Sequence, residues 1–208
     1  MKLRHLIAAS VATLAAASAM ATPIVTPVYT STGIDMLGEI NASEYTLDMT
    51  FSLDDIRGWR KIVDFSNQSE DAGLYLYWDS LAFYTSNDET FWGGGTNAEF
   101  GTRITLTRDG TGLVNAYVNG ALQLSFNDAA NNAVFTTTGG QTSAWLLADD
   151  ATTGFAEQSG GTISSIKVYD HALSAREVAA VPEPESMALV GAGLLTVFSL
   201  SRRRQNKS

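Results

Sequence analysis

The longest proline-free part of the chain, between Val28 and Val181, alternates repeatedly between apolar and polar side chains. In Tyr45–Leu53 every odd-numbered residue is apolar and every even-numbered one is polar, as in a strand with one buried face. Asn119-Gly120 joins two such runs and favours a type I′ hairpin turn. Similar segments occur at 73–80, 81–86, 103–110, 143–150 and 161–170. The pattern predicts an all-β fold, an antiparallel β-sandwich.

One short helix is predicted at the end of this region. Ser174 and Glu177 have the spacing of a capping box, in which each side chain accepts a hydrogen bond from the other residue's backbone N–H. The 208 residues suffice for one domain with a sizeable core, and the absence of cysteine excludes thiol chemistry.

The N-terminal residues 1–21 have a basic start, an apolar stretch and small residues at Ala19 and Ala21. This is the layout of a secretory signal peptide, and cleavage is predicted before Thr22. The alternative is an N-terminal membrane helix, for which the apolar stretch is short and rich in alanine.

The C-terminal residues 187–201 carry no charge. A helix of this length spans about 22 Å, short of a bilayer core of about 30 Å, but flanking arginines that reach the interface favour a membrane segment. Basic flanks stay on the cytoplasmic side, so the domain is expected outside the cytoplasm. The arginines that follow are Arg202, Arg203 and Arg204.

The segment between the domain and this apolar run is "VPEPES", which holds two of the four prolines. Proline excludes helix and keeps such a segment extended. The segment, the apolar run and the arginines together resemble the PEP-CTERM sorting signal. That resemblance implies recognition by the membrane transpeptidase exosortase at Pro182, Glu183 and Pro184. It also implies a transient stay in the inner membrane, followed by transfer to the cell surface or matrix. The alternative is a plain C-terminal anchor.

Removing both ends reveals a strongly acidic domain. Six of the 13 Lys+Arg lie in the ends, as do Glu183 and Glu185, so residues 22–181 hold 7 basic and 20 acidic residues, a net charge of −13. Nucleic acid is excluded as a partner because phosphate binding requires a basic patch. The predicted organisation is therefore a signal peptide (1–21), a sandwich domain (22–180) and a sorting segment (181–208).

The stretches "ITLTRDGTGLVNAYVNGALQLSF" and "GGTISSIKVYDHALSAREVAA" resemble the central hairpin and the closing strand and helix of laminin G-like, concanavalin A-like domains. The resemblance implies a jelly-roll sandwich, a fold that hosts lectins, adhesion modules and some glycosidases. The glycosidases of this fold carry a Glu-x-Asp-x-x-Glu pattern, which this chain lacks. His171, the one histidine of the domain, lies in a turn. The prediction is a non-catalytic module.

Sugar binding is the first candidate function, through aromatic faces that stack on pyranose C–H groups. Trp92 is the leading candidate because the three glycines after it indicate a loop, where exposed aromatic residues are often functional. Trp78 and Asn97 are further candidates, as is Trp59, whereas Trp145 is expected in the core.

Calcium binding is the second candidate. Asp149, Asp150 and Glu157 lie in one glycine-containing loop and offer the oxygen ligands that Ca²⁺ prefers. The alternative is a solvated acidic loop.

The sequence thus predicts an exported module that binds exopolysaccharide or other matrix components. A purely structural matrix protein and a glycosidase on the same fold stay open as alternatives.

Overall fold

The computed structural model describes residues 33–158 and 160–181, with the side chains of 33–36 excepted. Within this part of the chain, the strands form one sheet of seven and one sheet of five, all paired antiparallel. The predicted β-sandwich is confirmed. The signal peptide (1–21) and the membrane segment (187–201) lie outside the described residues.

The seven-stranded sheet is built in the order β1-β11-β3-β4-β5-β6, with β10 paired to β11. Its strands are β1 (Gly33–Gly38), β3 (Trp59–Asp64), β4 (Gly73–Tyr77), β5 (Ser80–Tyr84), β6 (Thr90–Gly95), β10 (Thr136–Thr138) and β11 (Gln141–Leu146). The five-stranded sheet has the order β12-β2-β7-β8-β9. Its strands are β2 (Tyr45–Leu53), β7 (Thr102–Arg108), β8 (Leu113–Val118), β9 (Ala121–Asn127) and β12 (Gly161–Tyr169).

The core lies between the inner faces of the two sheets. All the odd-numbered residues of β2 are buried there, opposite inward-facing side chains of the other sheet, among them Leu74, Leu76, Leu81 and Phe83. Burying one such side chain stabilises a fold by about 1.5–3 kcal/mol. The two-residue alternation thus fixes which face of each strand meets the other sheet.

The predicted Asn119-Gly120 hairpin turn is present, and a second turn of the same kind occurs in the other sheet. Asn119 and Gly120 both have positive φ (49° and 82°), as a type I′ turn between β8 and β9 requires. Trp78 and Asp79 form a similar turn between β4 and β5, with φ values of 48° and 70°.

The outer face of the five-stranded sheet is partly covered by α1 (Ala175–Ala180). The predicted capping box is confirmed: the Glu177 backbone N–H donates to Ser174 Oγ (3.4 Å), and the Ser174 backbone N–H donates to Glu177 Oε2 (2.9 Å). Val178 and Val181 pack against residues of the sheet and of the segment before the helix. This second small core consists of Tyr117, Tyr169, Leu173, Val178 and Val181.

No helix within residues 33–158 and 160–181 combines the length and the hydropathy that a membrane span requires.

Candidate functional site

The outer face of the seven-stranded sheet carries a group of aromatic side chains. In β4, Leu74 and Leu76 point into the core, so Tyr75 and Tyr77 point outward. Neighbouring strands add outward-pointing rings in register, since Trp59 of β3 pairs with Tyr77. We call this group the aromatic platform; it consists of Trp59, Tyr75, Tyr77, Tyr84 and Trp92.

Trp59 contacts every other ring of the platform. Its ring centroid lies 4.8 Å from that of Tyr77 and 5.6 Å from that of Trp92, and Tyr77 and Trp92 are 5.9 Å apart. Mutual packing of this kind orients aromatic rings and contributes roughly 0.5–1.5 kcal/mol for each pair. Trp92 is nevertheless 53% exposed and Tyr77 37% exposed. The platform therefore presents pre-oriented ring surfaces to solvent.

Trp92 was selected because the three glycines after it were expected to form a loop. That expectation was wrong, since the glycines belong to a strand. Gly93 and Gly94 belong to β6, at the edge of its sheet, and lie against Gln123 of β9. A Cβ atom at Gly93 would lie 3.2 Å from Leu81 Cβ and 3.3 Å from Gln123 Cβ, which is tighter than an ordinary contact, so glycine here allows the edges of the two sheets to approach closely. Trp92 is exposed because it points outward from a strand.

Trp78 and Asn97 lie at one end of the platform. Trp78, 58% exposed, occupies the β4–β5 turn, whereas Asn97 precedes a 3₁₀ helix at Ala98–Phe100. The Asp79 carboxylate joins these two segments, since it accepts hydrogen bonds from Thr96 Oγ1 (2.7 Å) and from the backbone N–H groups of Asn97 and Ala98 (3.1 Å each). Burial acts to raise the pKa of Asp79, but these hydrogen bonds outweigh it and lower the pKa. Asp79 thus holds both candidates in place.

At the other end, a buried lysine lies between two carboxylates. Lys61 Nζ is 2.6 Å from Asp150 Oδ2 and 3.1 Å from Asp64 Oδ2, and all three side chains are fully buried. The same ammonium group donates to the backbone carbonyl of Glu70 and lies 5.2 Å from the centre of the Tyr75 ring. The charged cluster therefore contacts the platform at its Tyr75 end.

The loop of residues 147–160 crosses the sheet next to this cluster. The Lys61 backbone N–H donates to the carbonyl of Glu157 (2.9 Å), and Asp54 N–H donates to that of Gly160 (3.0 Å). Leu147 has a positive φ of 52° at the point where the chain leaves β11. Because of these contacts, the loop is held against the strand that carries Trp59.

Two of the three candidate calcium ligands are engaged within this loop. Asp149 Oδ2 accepts from Thr153 Oγ1 (2.6 Å) and from the Glu157 backbone N–H (2.7 Å), while Asp150 Oδ1 accepts from the Thr152 backbone N–H (2.7 Å). Within residues 33–158 and 160–181, no three or more Asp, Glu, His or Cys side chains are grouped as a metal site. The calcium assignment stays a prediction, and the carboxylates have a structural role in shaping the loop.

Glu157, the third candidate ligand, has an unusual environment. Burial, followed by the charges of Asp71, Asp149 and Asp150, raises its pKa to about 7. The Tyr75 hydroxyl donates to Asp71 Oδ1 (2.7 Å), so Asp71 lies beside the platform. The site thus contains a carboxyl group, Glu157, whose pKa is raised by burial and by the charge of Asp71 beside the platform.

Trp145 was wrongly expected in the core. Ala144 and Leu146 face the core, and Trp145 lies half-buried on the outer face, where its Nε1–H donates to Asn67 Oδ1 (2.9 Å). His171 lies exposed in the turn before α1, as expected, and its Nδ1 is 2.8 Å from Asp170 Oδ1.

Sequence reasoning missed the residues that connect the site. Tyr77 is recognisable in the sequence, because it follows Leu74 and Leu76 in an alternating strand and so points away from the core. Only the neighbouring Trp78 was predicted as a ligand-binding residue. Lys61 gave no signal, because a charged residue in a sequence normally indicates a solvent-facing position.

Comparison with known proteins identifies both the domain and the C-terminal sorting motif. Residues 180–204 match the model of the PEP-CTERM protein-sorting motif, which marks an exported, surface-directed protein and implies processing by exosortase. No curated protein matches the chain significantly.

Similar solved structures include carbohydrate-binding modules and a sialidase. The CBM40 module of the Ruminococcus gnavus IT-sialidase, bound to α2,3-sialyllactose, has a TM-score of 0.56 and 16% identity, covering 77% of this chain and 98% of the module. The same module with α2,6-sialyllactose gives 0.55 and 16%, covering 78% and 100%. A variant of NanB sialidase from Streptococcus pneumoniae gives 0.52 and 15%, covering 76% of this chain and 28% of that enzyme.

These likenesses concern the fold, and the family is established by sequence. Residues 29–179 match a laminin G-like family model, in agreement with the two sheets described above. The chain therefore belongs to the concanavalin A-like lectin/glucanases superfamily.

Proposed function

We propose that this domain is a non-catalytic glycan-binding module and that the aromatic platform is its binding surface. The observation that carries the proposal is the arrangement of Trp59, Tyr77 and Trp92, whose rings contact each other while two of them stay exposed. Rigid aromatic faces with a few polar groups beside them suit the apolar faces and hydroxyl groups of a sugar ring. Asp71 and Glu157 supply such polar groups.

Membership of the superfamily supports this proposal, as does the fold shared with carbohydrate-binding modules. The charge near the platform favours a different ligand from sialyllactose. Asp71, Asp150 and Glu157 lie near it. The basic side chains next to the platform are already bound to carboxylates, Lys61 to Asp64 and Asp150, and Arg60 to Asp55. An anionic sugar would be repelled there. The expected ligand is a neutral glycan, such as an uncharged exopolysaccharide of the matrix.

The test is a titration of the purified protein with neutral β-glucan oligosaccharides and, separately, with α2,3-sialyllactose. Tryptophan fluorescence and calorimetry report binding. Trp92→Ala is expected to weaken binding of the neutral glycan at least tenfold, about 1.4 kcal/mol or more. The loss of its two ring contacts lowers Tm by a few degrees, so Tm serves to verify that the variant is folded at the temperature of the titration. The matched control is Phe100→Ala, which removes an exposed aromatic ring from the end of the 3₁₀ helix, beside the five-stranded sheet, and is expected to leave binding unchanged.

Two outcomes contradict the proposal. Equal loss of binding in both variants would mean that the platform is not the contact surface. Tighter binding of sialyllactose than of every neutral glycan would contradict the charge argument.

Glycoside hydrolysis is a second candidate, favoured by one observation. Glu157, whose pKa is raised to about 7, lies near Asp71, and hydrolysis of a glycosidic bond uses two neighbouring carboxyl groups, one of them with a raised pKa as the general acid. Incubation with neutral β-glucans, with reducing ends measured over time, tests this role. Hydrolysis that is lost in Glu157→Gln and in Asp71→Asn would establish the enzyme. Absence of hydrolysis together with glycan binding would establish the binding module.

We further propose that the chain is cleaved before Thr22, anchored transiently by residues 187–201 in the inner membrane and then released to the cell surface or matrix. The sorting motif at 180–204 supports this route. Mass spectrometry of surface and medium fractions is expected to find a mature chain that starts at Thr22 and ends near the Pro-Glu-Pro segment. Recovery of the intact 208-residue chain from the cytosol would contradict it.

A further inference from the structure

The outer face of the five-stranded sheet contains a groove beside α1. It encloses about 560 Å³ and lies at the end of the sheet where β2 finishes and β7 and β12 begin. We call it the Phe100 groove, after a ring that is 88% exposed. Besides Arg103, its lining includes Thr50, Ser52, Phe100, Asn119, Thr162 and Ser164.

The chain leaves the domain at this groove. Arg103 lines it, and the same guanidinium group donates to the backbone carbonyls of Val181 (3.1 Å) and Val178 (3.2 Å) at the end of α1. Gly120, next to the groove residue Asn119, also lies against the helix end, since a Cβ atom there would lie 3.6 Å from Ala179 Cα. Val181, the last described residue, is therefore fixed at the border of the groove.

The chemistry of the groove suits the segment that follows. Val181 is extended (φ −67°, ψ 115°), the conformation that a residue before proline prefers. Extended proline-rich segments bind in grooves that contain aromatic rings, because little conformational entropy is lost. The groove wall is polar: Ser164 Oγ donates to the Thr50 carbonyl (3.2 Å), and Asn119 Oδ1 accepts from the Arg103 backbone N–H (3.0 Å). The Thr50 hydroxyl and the Asn119 side-chain NH₂ group are the polar groups there that can face an extended backbone.

Charge also favours this occupant. The segment carries Glu183 and Glu185, and a domain with a net charge of −13 repels an acidic peptide over most of its surface. The groove lining, which lies wholly within the described residues, contains no Asp or Glu, and Arg103 is neutralised by Asp48. An acidic segment meets no net repulsion there.

We infer that residues 182–186 dock in the Phe100 groove of their own domain. Five residues in the polyproline conformation extend about 16 Å. The docked segment places the sorting motif against the folded domain, with a proline ring on Phe100. The processing enzyme must displace the segment from this groove before it binds the motif.

Disulfide trapping in the full-length chain tests the inference, because the chain has no cysteine of its own. Ser186→Cys is combined with Ser164→Cys in the groove. In the matched control it is combined with Ala121→Cys, next to the Gly120 that faces the helix end but outside the groove lining. The protein is oxidised in detergent micelles, and the linked peptides are quantified by mass spectrometry.

The groove pair is expected to form at least tenfold more intramolecular disulfide than the control pair. Adding Phe100→Ala is expected to lower the yield of the groove pair at least fivefold, and Tm serves to verify that every variant is folded. Equal yields for the two pairs, or a yield that Phe100→Ala leaves unchanged, would overturn the inference. Products that form only between molecules would also overturn it, because the occupant would then be a second copy of the chain.

Discussion

The two outer faces of the sandwich are built alike, yet one has exposed aromatic rings and the other is partly covered by a helix. Each carries a buried basic side chain that is bound by aspartate and that holds a covering segment in place. On the five-stranded sheet this side chain is Arg103, and on the seven-stranded sheet it is Lys61. The covering segments are α1 and the loop of residues 147–160.

On the five-stranded sheet, α1 shields part of the outer face from solvent. Arg103 Nε donates to Asp48 Oδ1 (2.6 Å), Thr105 Oγ1 donates to the same oxygen (2.7 Å), and the guanidinium group also binds two carbonyls of the helix end. The planar guanidinium group has enough donors to bind the carboxylate and the helix end at once. The result is a second small core under α1.

On the seven-stranded sheet, the loop after β11 leaves Tyr77 and Trp92 of the aromatic platform exposed. The loop is held near the end of β3 by Lys61 and by the hydrogen bond from its backbone to Glu157. The rings of Tyr77 and Trp92, farther along the sheet, stay in contact with solvent. Equivalent buried ion pairs thus support a closed, structural face and an open face suited to a ligand.

The largest effect is expected for Lys61→Met, which leaves Asp64 and Asp150 buried without their cation. Breaking a buried ion pair typically costs about 3–5 kcal/mol, and Tm should fall by roughly 10 °C or more. Chemical denaturation measures the change. The control is the same substitution at half-buried Lys167, for which little change is expected. Similar losses in both variants would contradict the special role of the lysine cluster.

A somewhat smaller loss is expected for Arg103→Met, about 3 kcal/mol, because Asp48 keeps the hydrogen bond from Thr105. The helix end should also loosen, which hydrogen exchange at the amide groups of Val178 and Val181 would report as faster exchange. Arg57→Met, at an exposed ion pair with Asp55, is the control and should leave both readouts unchanged. Unchanged exchange in Arg103→Met would show that the arginine does not hold the helix.

The smallest effect concerns pH. The pKa of Glu157 rises from an ordinary value of 4.5 to about 7 on folding, so the folded state binds more protons between these values. The free energy of unfolding should therefore fall as pH rises through this window and level off above it. Partial exposure reduces the effect to about 1 kcal/mol, or roughly 2–4 °C in Tm between pH 5 and pH 8.

Glu157→Gln should flatten this dependence, whereas Glu99→Gln, at an exposed position, should keep it. Thermal unfolding followed at several pH values makes the comparison. A wild-type dependence that survives intact in Glu157→Gln would assign it to another group, such as buried Asp64, whose pKa burial also raises.

Prediction from sequence succeeded where local chemistry decides. The alternation in Tyr45–Leu53, the Asn119-Gly120 turn and the capping box of Ser174 were all recognised because neighbouring residues determine them. Strand β3 was missed because Lys61 interrupts its apolar pattern, and β6 was missed because glycines usually indicate a loop. In both cases the deciding partner comes from elsewhere in the chain: Asp150 for Lys61 and Gln123 for Gly93.

By itself, the sequence determined the sandwich class, the family and the sorting motif, because period-two burial, turn residues and linear motifs are local properties. The tertiary structure alone decided which aromatic residues form one surface. Trp59, Tyr77 and Trp92 lie on three strands, and only the pairing of β3 with β4 and of β5 with β6 brings their rings together. It also decided that the two outer faces differ, because burial of Lys61 and Arg103 depends on segments more than 70 residues away.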